Sequence, residues 1–119
     1  MPNNYAYALT STPQITAEAG VIIDANTGLV LFDKNKDVKL EPASITKVMT
    51  ALLALENLDM KKEVIIDEET SFTEGSRIYL LEGEKVTVED LMYALLLESA
   101  NDAAVAIAKE VSGLSLIHI

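Results

Sequence analysis

The segment of residues 44–57 is apolar around most of its circumference if it is folded as a helix. A helix without a continuous polar face needs other elements to bury it on several sides. The sequence therefore predicts a helix that is central to the fold and covered on most of its faces. Its apolar positions are Val48, Met49, Ala51, Leu52, Leu53, Ala54 and Leu55.

Short β-favouring runs lie on both sides of this segment. The runs 18–24 and 29–34 flank Asn26 and Gly28, residue types that suit a tight turn, so we predict a β-hairpin. Further short strands are predicted at 64–66 and at 78–81, the second followed by a turn at 82–84.

Two helices are predicted in the last third of the sequence. Thr87 is a capping residue type followed by acidic residues, and apolar residues then recur at helical spacing. The buried stripe is expected to be Val88, Leu91, Met92, Leu95 and Leu96. A break is expected near 98–101, before a second helix over about 102–111 that is capped by Ser99 or Asn101 and ended by Gly113.

Composition excludes several classes of function. Nine Lys and Arg against nineteen Asp and Glu give a net charge of −10, which lacks the positive field that nucleic-acid binding needs. The sequence has no Cys, and His118 is its only His, so thiol nucleophiles, disulfides and Cys/His zinc sites are excluded. We expect no metal and no cofactor, and a nucleophilic enzyme of this composition needs a base other than His.

A serine and a lysine stand one helical turn apart at the start of the 44–57 segment. Ser44 and Lys47 are spaced i, i+3, which places both side chains on one face. The helix start favours a developing alkoxide and leaves backbone N–H groups available for an oxyanion, while lysine in its neutral form can take a serine proton. The alternative is that Ser44 is an ordinary helix cap and Lys47 a surface lysine.

A second polar pair falls in the predicted break between the last two helices. Ser99 and Asn101 could project into a cleft from this junction, or they could simply cap the second helix. Neither short motif is decisive by itself.

In their wider context these motifs resemble those of the low-molecular-mass penicillin-binding proteins, the serine-type D-alanyl-D-alanine carboxypeptidases of peptidase family S11. The resemblance covers most of 15–113, and its matching segments are 19–28, 42–50, 83–91 and 98–104. It implies an α+β fold of the β-lactamase/transpeptidase type, an antiparallel sheet with a helical subdomain, truncated here before the C-terminal strands. The motifs Ser-x-x-Lys, Ser-x-Asn and Lys-Thr-Gly are shared with class A β-lactamases.

The resemblance also implies roles for individual residues. Ser44 would be the nucleophile that forms the acyl-enzyme, Lys47 the general base and Ser99 the proton relay, while Asn101 would bind the substrate. Ala100 stands where many members have Gly, in a position the motif leaves free. The third motif is absent, since neither Lys85 nor Lys109 is followed by Thr-Gly, so half of the oxyanion hole and the carboxylate clamp are missing from this chain.

The implied partners are peptidoglycan stem peptides as substrate and β-lactams as inhibitors, with no nucleic acid. The resemblance implies an exported protein at the outer face of the cytoplasmic membrane or in the periplasm. Membrane contact would be made only through a C-terminal anchor, and this sequence shows neither that anchor nor a signal peptide. Residues 1–14 are predicted to be a disordered leader or signal remnant, 15–113 the front of the catalytic domain, and 114–119 a tail derived from a sequencing adapter.

Two alternatives to a carboxypeptidase stay open at the level of sequence. One is a class A β-lactamase-like hydrolase, which shares both motifs. The other is a non-catalytic fragment or binding protein of the same fold, suggested by the missing third motif. On this second alternative we expect the 119-residue chain alone to be poorly stable and to show no carboxypeptidase turnover.

Overall fold

The computed structural model describes residues 11–113, which fall into two compact units divided between Glu41 and Pro42. The predictions of a leader remnant at the N-terminus and an adapter-derived tail at 114–119 lie wholly or largely outside the described residues. No helix within 11–113 is long and apolar enough to cross a membrane.

The first unit contains the predicted β-hairpin. Strand β1 (Gly20–Ile23) pairs antiparallel with β2 (Val30–Lys34), with an irregularity in register between Ile22 and Ile23. The turn is organised by Asp24, whose carboxylate accepts hydrogen bonds from the N–H of Asn26 (3.0 Å) and from the N–H of Thr27 (2.8 Å). The backbone and side-chain hydrogen bonds from Thr27, and then the one from Asn26, lower the pKa of Asp24.

As far as residue 113, the second unit combines a 3-10 helix and four α-helices with a second antiparallel pair of strands. A 3-10 helix (Ala43–Ile45) runs directly into α1 (Thr46–Asn57). The later elements are β3 (Glu63–Ile65), α2 (Glu68–Ser71), β4 (Lys85–Thr87), α3 (Val88–Leu97) and α4 (Asn101–Ser112). In the β3–β4 ladder Val64 is opposite Val86.

The prediction of a strand at 78–81 is wrong, because this segment is irregular. Strand β3 pairs with β4. Tyr79 has a left-handed backbone (φ +63°), which interrupts an extended strand. The N–H groups of Ile78 and Leu80 donate to the carboxylate of Asp102 and not to a neighbouring strand. Apolar character alone therefore gave the wrong element here.

Helix α3 begins as predicted, with a capping box at its first turn. The Thr87 hydroxyl accepts from the N–H of Asp90 (3.1 Å), and the Asp90 carboxylate accepts from the N–H of Thr87 (3.3 Å). Four of the five predicted stripe residues are buried, but Leu96 is 55% exposed and Ala94 takes the inward position. The inward face is therefore rotated slightly from the prediction.

Helix α4 covers the predicted range, but its predicted caps are wrong. Its N-cap residue is Ala100, and no side chain caps it. The side chains of Ser99 and Asn101 are engaged with Lys47 instead, which removes them from capping. Gly113 ends the helix with φ +61°.

The core of the second unit lies between α1, α3, α4 and the β3–β4 pair. From α1 only Ala51 and Ala54 are buried, whereas Val48, Met49 and Leu55 are 62%, 57% and 61% exposed. The expectation that this helix is covered on most faces is therefore wrong for the described residues. Helices α3 and α4 pack against one face of α1, and small alanines allow this close approach.

Candidate active site

Ser44 and Lys47 lie on two consecutive helical segments at the start of the second unit. Ser44 is in the 3-10 helix and is exposed, while Lys47 is in the first turn of α1 and is half-buried. Ala43, directly before the serine, has a left-handed backbone with φ +47°. Ser44 is not the side-chain cap of α1, because the N-cap position belongs to Ile45.

Ser99 and Asn101 lie at the junction where α3 ends and α4 begins. Ser99 is half-buried and has φ +54°, a backbone conformation that residues other than glycine rarely adopt. The N–H of Ala100 donates to the carbonyl of Ala94, which folds the chain back over the end of α3 (3.2 Å). This sharp reversal directs two polar side chains of the junction to one place.

All four predicted site residues belong to one hydrogen-bonded network. The Nζ of Lys47 donates to Ser99 Oγ (3.0 Å) and to Asn101 Oδ1 (2.7 Å), and it also donates to the carbonyl of Ser99. The Oγ atoms of Ser99 and Ser44 are 3.0 Å apart. Side-chain hydrogen bonds therefore join two pairs of residues that are far apart in the sequence.

Within the described residues, hydrogen bonds connect Ser44 to Lys47 by way of Ser99. The i, i+3 spacing suggested a direct pair, whereas the geometry gives a three-membered chain of oxygen, oxygen and nitrogen. The donors run from Lys47 Nζ to Ser99 Oγ and from Ser99 Oγ to Ser44 Oγ. With a neutral lysine and the two hydroxyls turned round, the same chain can carry a proton from Ser44 to the amine without moving a heavy atom. Nucleophilic serine chemistry requires a path of this kind.

A loop that sequence reasoning missed supports Asn101 from its other side. The Asn101 amide Nδ2 donates to the carbonyl of Glu74 (2.9 Å), and the Asn101 backbone N–H donates to the carbonyl of Ser76 (2.6 Å). Gly75 lies between these two carbonyls with φ +87°, and a Cβ there would be 2.5 Å from Asn101 Nδ2. The Gly-Ser dipeptide signals a loop, but its partner cannot be inferred from the sequence.

Asp102 is a second residue that the sequence did not single out. It is fully buried (0% exposed) and accepts hydrogen bonds from the N–H groups of Ile78 (3.3 Å) and Leu80 (3.1 Å). A buried carboxylate is costly unless it is well hydrogen-bonded. Its position directly after Asn101 links the site to the same loop.

A cavity of about 300 Å³ at the β3–α4 side of the second unit does not include the four site residues. Its charged lining residues are paired, Lys62 with Glu110 and Lys109 with Asp67. Burial alone would raise the pKa of Asp67, but hydrogen bonds from Lys109 and Thr70 outweigh burial and lower the pKa to about 2. No group of three or more possible metal ligands occurs within 11–113.

The fold of the chain is that of solved DD-peptidases and penicillin-binding proteins. D-alanyl-D-alanine carboxypeptidase DacD from Francisella tularensis superposes with a TM-score of 0.78 and 34% identity, over 87% of this chain and 26% of that one. Penicillin binding protein 5 from Haemophilus influenzae gives a TM-score of 0.75 and 36% identity, over 87% of this chain and 32% of its own. These matches agree with the α+β, transpeptidase-type fold that the motifs implied.

The family follows from the sequence as well. The family model of the S11 peptidases, described as D-alanyl-D-alanine carboxypeptidase, matches residues 6–116, and the chain belongs to this family. D-alanyl-D-alanine carboxypeptidase DacF of Bacillus subtilis is 41% identical over 102 residues, which are 82% of this chain and 26% of that protein. The chain thus spans about a quarter of the length of this curated relative.

Proposed function

We propose that the protein carrying this chain is a serine-type carboxypeptidase that removes the terminal D-Ala from peptidoglycan stem peptides through an acyl-enzyme on Ser44. The observation that supports this most directly is the continuous link from Ser44 Oγ through Ser99 Oγ to Lys47 Nζ, with both steps at 3.0 Å. Membership of the S11 family supplies the reaction class. The network supplies the residues for its first step.

In the proposed acylation, Lys47 acts in its neutral form as the general base. The proton of Ser44 passes to Ser99 Oγ while the proton of Ser99 passes to Lys47 Nζ, and Ser44 Oγ bonds to the carbonyl carbon between the last two D-alanines. A backbone N–H at the start of the 3-10 helix supplies one half of the oxyanion hole, and the other half belongs to the third motif, which this sequence lacks. When the C–N bond breaks, the proton returns through Ser99 to the leaving amine.

Hydrolysis of the ester completes the cycle. Water attacks the acyl carbon and gives a proton to Lys47, and Ser44 recovers its proton when the ester bond breaks. Asn101 holds Lys47 through Oδ1 and is proposed to hydrogen-bond the peptide backbone of the substrate as well.

The proposal extends to inhibitors and location. β-Lactams imitate the D-Ala-D-Ala terminus, so they are expected to acylate Ser44. The substrate class implies an exported protein that works at the outer face of the cytoplasmic membrane or in the periplasm. The Lys-Thr-Gly clamp for the substrate carboxylate has no equivalent in this chain, so the 119-residue chain by itself is not expected to turn over substrate.

The proposal is tested with the intact protein and a short peptide that ends in D-Ala-D-Ala. We expect release of D-Ala by the parent, loss of release in Ser44→Ala, and unchanged release in the matched control Ser71→Ala, whose hydroxyl bonds to Glu68 within α2. Rapid hydrolysis of penicillin without a lasting adduct would identify the β-lactamase-like alternative. A folded parent that neither releases D-Ala nor reacts with penicillin would show a non-catalytic protein.

A further inference from the structure

We propose that Asp102 is a positioning residue of this site: it holds the loop of residues 74–81 in a strained conformation, and that loop in turn orients Asn101 toward Lys47. This inference rests on the proposed function for its consequence in catalysis. The structural part of the inference rests on the contacts that Asp102 and the loop of residues 74–81 make, and the acylation scheme uses none of these contacts.

Asp102 is bound on both of its carboxylate oxygens. Oδ1 accepts from the N–H groups of Ile78 (3.3 Å) and Ala103 (3.0 Å), and Oδ2 accepts from the N–H of Leu80 (3.1 Å). The carboxylate lies in the first turn of α4, where the helix dipole favours a negative charge. Full burial makes each of these bonds difficult to replace by water.

The loop conformation that Asp102 binds is unfavourable by itself. Tyr79, between the two donating residues, has φ +63°, a rare conformation for an aromatic residue. A left-handed residue in this position lets the N–H groups on either side converge on one anion. The Tyr79 side chain is 70% exposed and its ring contacts the Arg77 guanidinium at 4.7 Å, so burial of this side chain does not hold its left-handed backbone. The buried Leu80 side chain anchors one end of the segment, and the hydrogen bonds to Asp102 on both sides of Tyr79 fix the backbone between them.

The same loop determines which end of the Asn101 amide faces Lys47. The Glu74 carbonyl accepts from Asn101 Nδ2 (2.9 Å), and this leaves Oδ1 for the Lys47 Nζ at 2.7 Å. The Ser76 carbonyl fixes the Asn101 backbone N–H in addition (2.6 Å). If the loop relaxes, the amide loses the contact that orients it, and Lys47 loses one of its acceptors.

The primary test is Asp102→Asn in the intact protein, because this change keeps the shape of the side chain. In the asparagine side chain only the oxygen can accept a hydrogen bond, because the NH₂ group only donates. The N–H of either Ile78 or Leu80 therefore loses its partner. We expect acylation of Ser44 by a fluorescent penicillin to slow about tenfold or more. Backbone hydrogen exchange in the segment 77–81 is expected to become faster at the same time.

Asp67→Asn is the matched control for a loss of stability that is not directed at the site. Asp67 also accepts a backbone N–H, from Thr70, and also has a partner on α4, the side chain of Lys109. We expect this variant to lower the unfolding midpoint and to leave the acylation rate and the exchange of 77–81 unchanged. A general destabilising effect would instead slow acylation in both variants.

A second pair of variants tests the strain directly. Glycine adopts a left-handed backbone without steric cost, whereas alanine does not. Adding Tyr79→Gly to Asp102→Asn is therefore expected to restore acylation several-fold, and adding Tyr79→Ala is expected to restore none of it. Equal recovery with both residues would overturn the role of the backbone strain.

The outcomes separate this inference from the proposed function. If the parent is acylated at Ser44 and Asp102→Asn reacts within twofold of it, the inference is wrong and the proposed function stands. If the folded parent is not acylated, both fail. If acylation slows but hydrogen exchange of 77–81 is unchanged, Asp102 does not act through the loop, and the inference is again wrong.

Discussion

Ala43, Tyr79 and Ser99 adopt left-handed backbones, with φ of +47°, +63° and +54°. Each such residue costs about 1–2 kcal/mol relative to an ordinary conformation. One of the three precedes the proposed nucleophile, one is the proposed relay, and one lies in the loop that contacts Asn101 and Asp102. Three of the four non-glycine residues with a left-handed backbone among the described residues thus lie where side chains must converge, which is common at functional sites, and the fourth, Asn35 (φ +53°), directly follows β2.

Gly75 is predicted to be needed both for stability and for the position of Asn101. In Gly75→Ala the new Cβ would lie 2.5 Å from Asn101 Nδ2, and the left-handed φ of +87° adds strain. We expect a loss of about 1–2 kcal/mol in unfolding free energy from the backbone alone, and acylation by penicillin slowed about tenfold or more because Asn101 must move. Urea unfolding and a penicillin-labelling time course measure the two effects.

Gly83→Ala is the control for Gly75→Ala. Gly83 also has a left-handed backbone (φ +78°), but no atom lies within 4 Å of the position of its Cβ. It should lose a similar amount of stability from strain and keep its acylation rate. Slower acylation in both variants would show that the contact with Asn101 is not the cause.

The four polar side chains of the site, and the relay role of Ser99, could be named from the sequence only through the resemblance of their motifs to a family, because spacing alone left helix caps and a surface lysine open. The hydrogen bonds that connect them could not be predicted from spacing. The relay through Ser99 depends on a backbone reversal at a non-glycine residue. Asp102 and the carbonyls of Glu74 and Ser76 give no sequence signal of their own, since a buried carboxylate and an exposed one look alike in a sequence.

At the level of elements, a polar cluster connects α2 and its N-cap to α4. Lys109 on α4 pairs with Asp67 (2.7 Å) and Glu69 (2.9 Å), and its side chain is only 12% exposed. Burial lowers the pKa of Lys109, but the hydrogen bonds that Lys109 donates to Asp67 and Glu69, with the attraction of these carboxylates, outweigh burial and raise it. The pair therefore favours the charged form of both partners.

This cluster predicts a pH-dependent contribution to stability. Because folding lowers the pKa of Asp67 from 3.8 to about 2, its contribution is present above about pH 4 and is lost as the pH falls toward 2. If the pair were kept away from solvent, this lowering of the pKa would correspond to about 2.4 kcal/mol of unfolding free energy. Because Asp67 is 48% exposed, solvent screening reduces the contribution to about 1 kcal/mol.

Asp67→Asn should accordingly lower the unfolding free energy at pH 7 by about 1 kcal/mol, and the difference from the parent should shrink as the pH falls from 4 to 2. Urea unfolding at several pH values measures it. Asp37→Asn removes a carboxylate that is 86% exposed and paired with Lys36, and no measurable change is expected from it. A difference for Asp67→Asn that grows at acidic pH would contradict the assignment.

The elements themselves were predicted well where local signals agree. The hairpin has turn residues at the correct positions, and α3 has both its capping box and its apolar period. The error at 78–81 arose because a run of apolar residues does not show whether its N–H groups meet another strand or a side chain. That choice is made by Asp102, which is distant in sequence.

At the scale of the whole molecule, the second unit presents many apolar side chains to solvent. On α1 the exposed ones include Val48 (62%), Met49 (57%) and Leu55 (61%), and Leu97 at the end of α3 is 75% exposed. The apolar pattern of 44–57 correctly predicts a helix, but the predicted burial on most faces is wrong for the described residues, which cover only one face of α1. The apolar pattern of a sequence predicts a helix, but it does not show which other elements cover each face of that helix.

We therefore predict that the purified 119-residue chain self-associates and binds a fluorescent dye for apolar surfaces, because soluble monomers rarely expose large apolar patches. Sedimentation over a range of concentrations and dye titration measure this. Val48→Gln with Leu55→Gln should reduce both effects. A chain that stays monomeric at all concentrations and binds no dye would contradict this prediction.

The most direct test of the account is the location of the penicillin adduct in the intact protein, determined by peptide mass spectrometry. The hydrogen-bonded chain from Ser44 through Ser99 to Lys47 predicts one adduct, on Ser44, which forms much more slowly in Ser99→Ala and in Lys47→Ala. An adduct on any other residue, or adduct formation at the parent rate in folded Lys47→Ala, would contradict it.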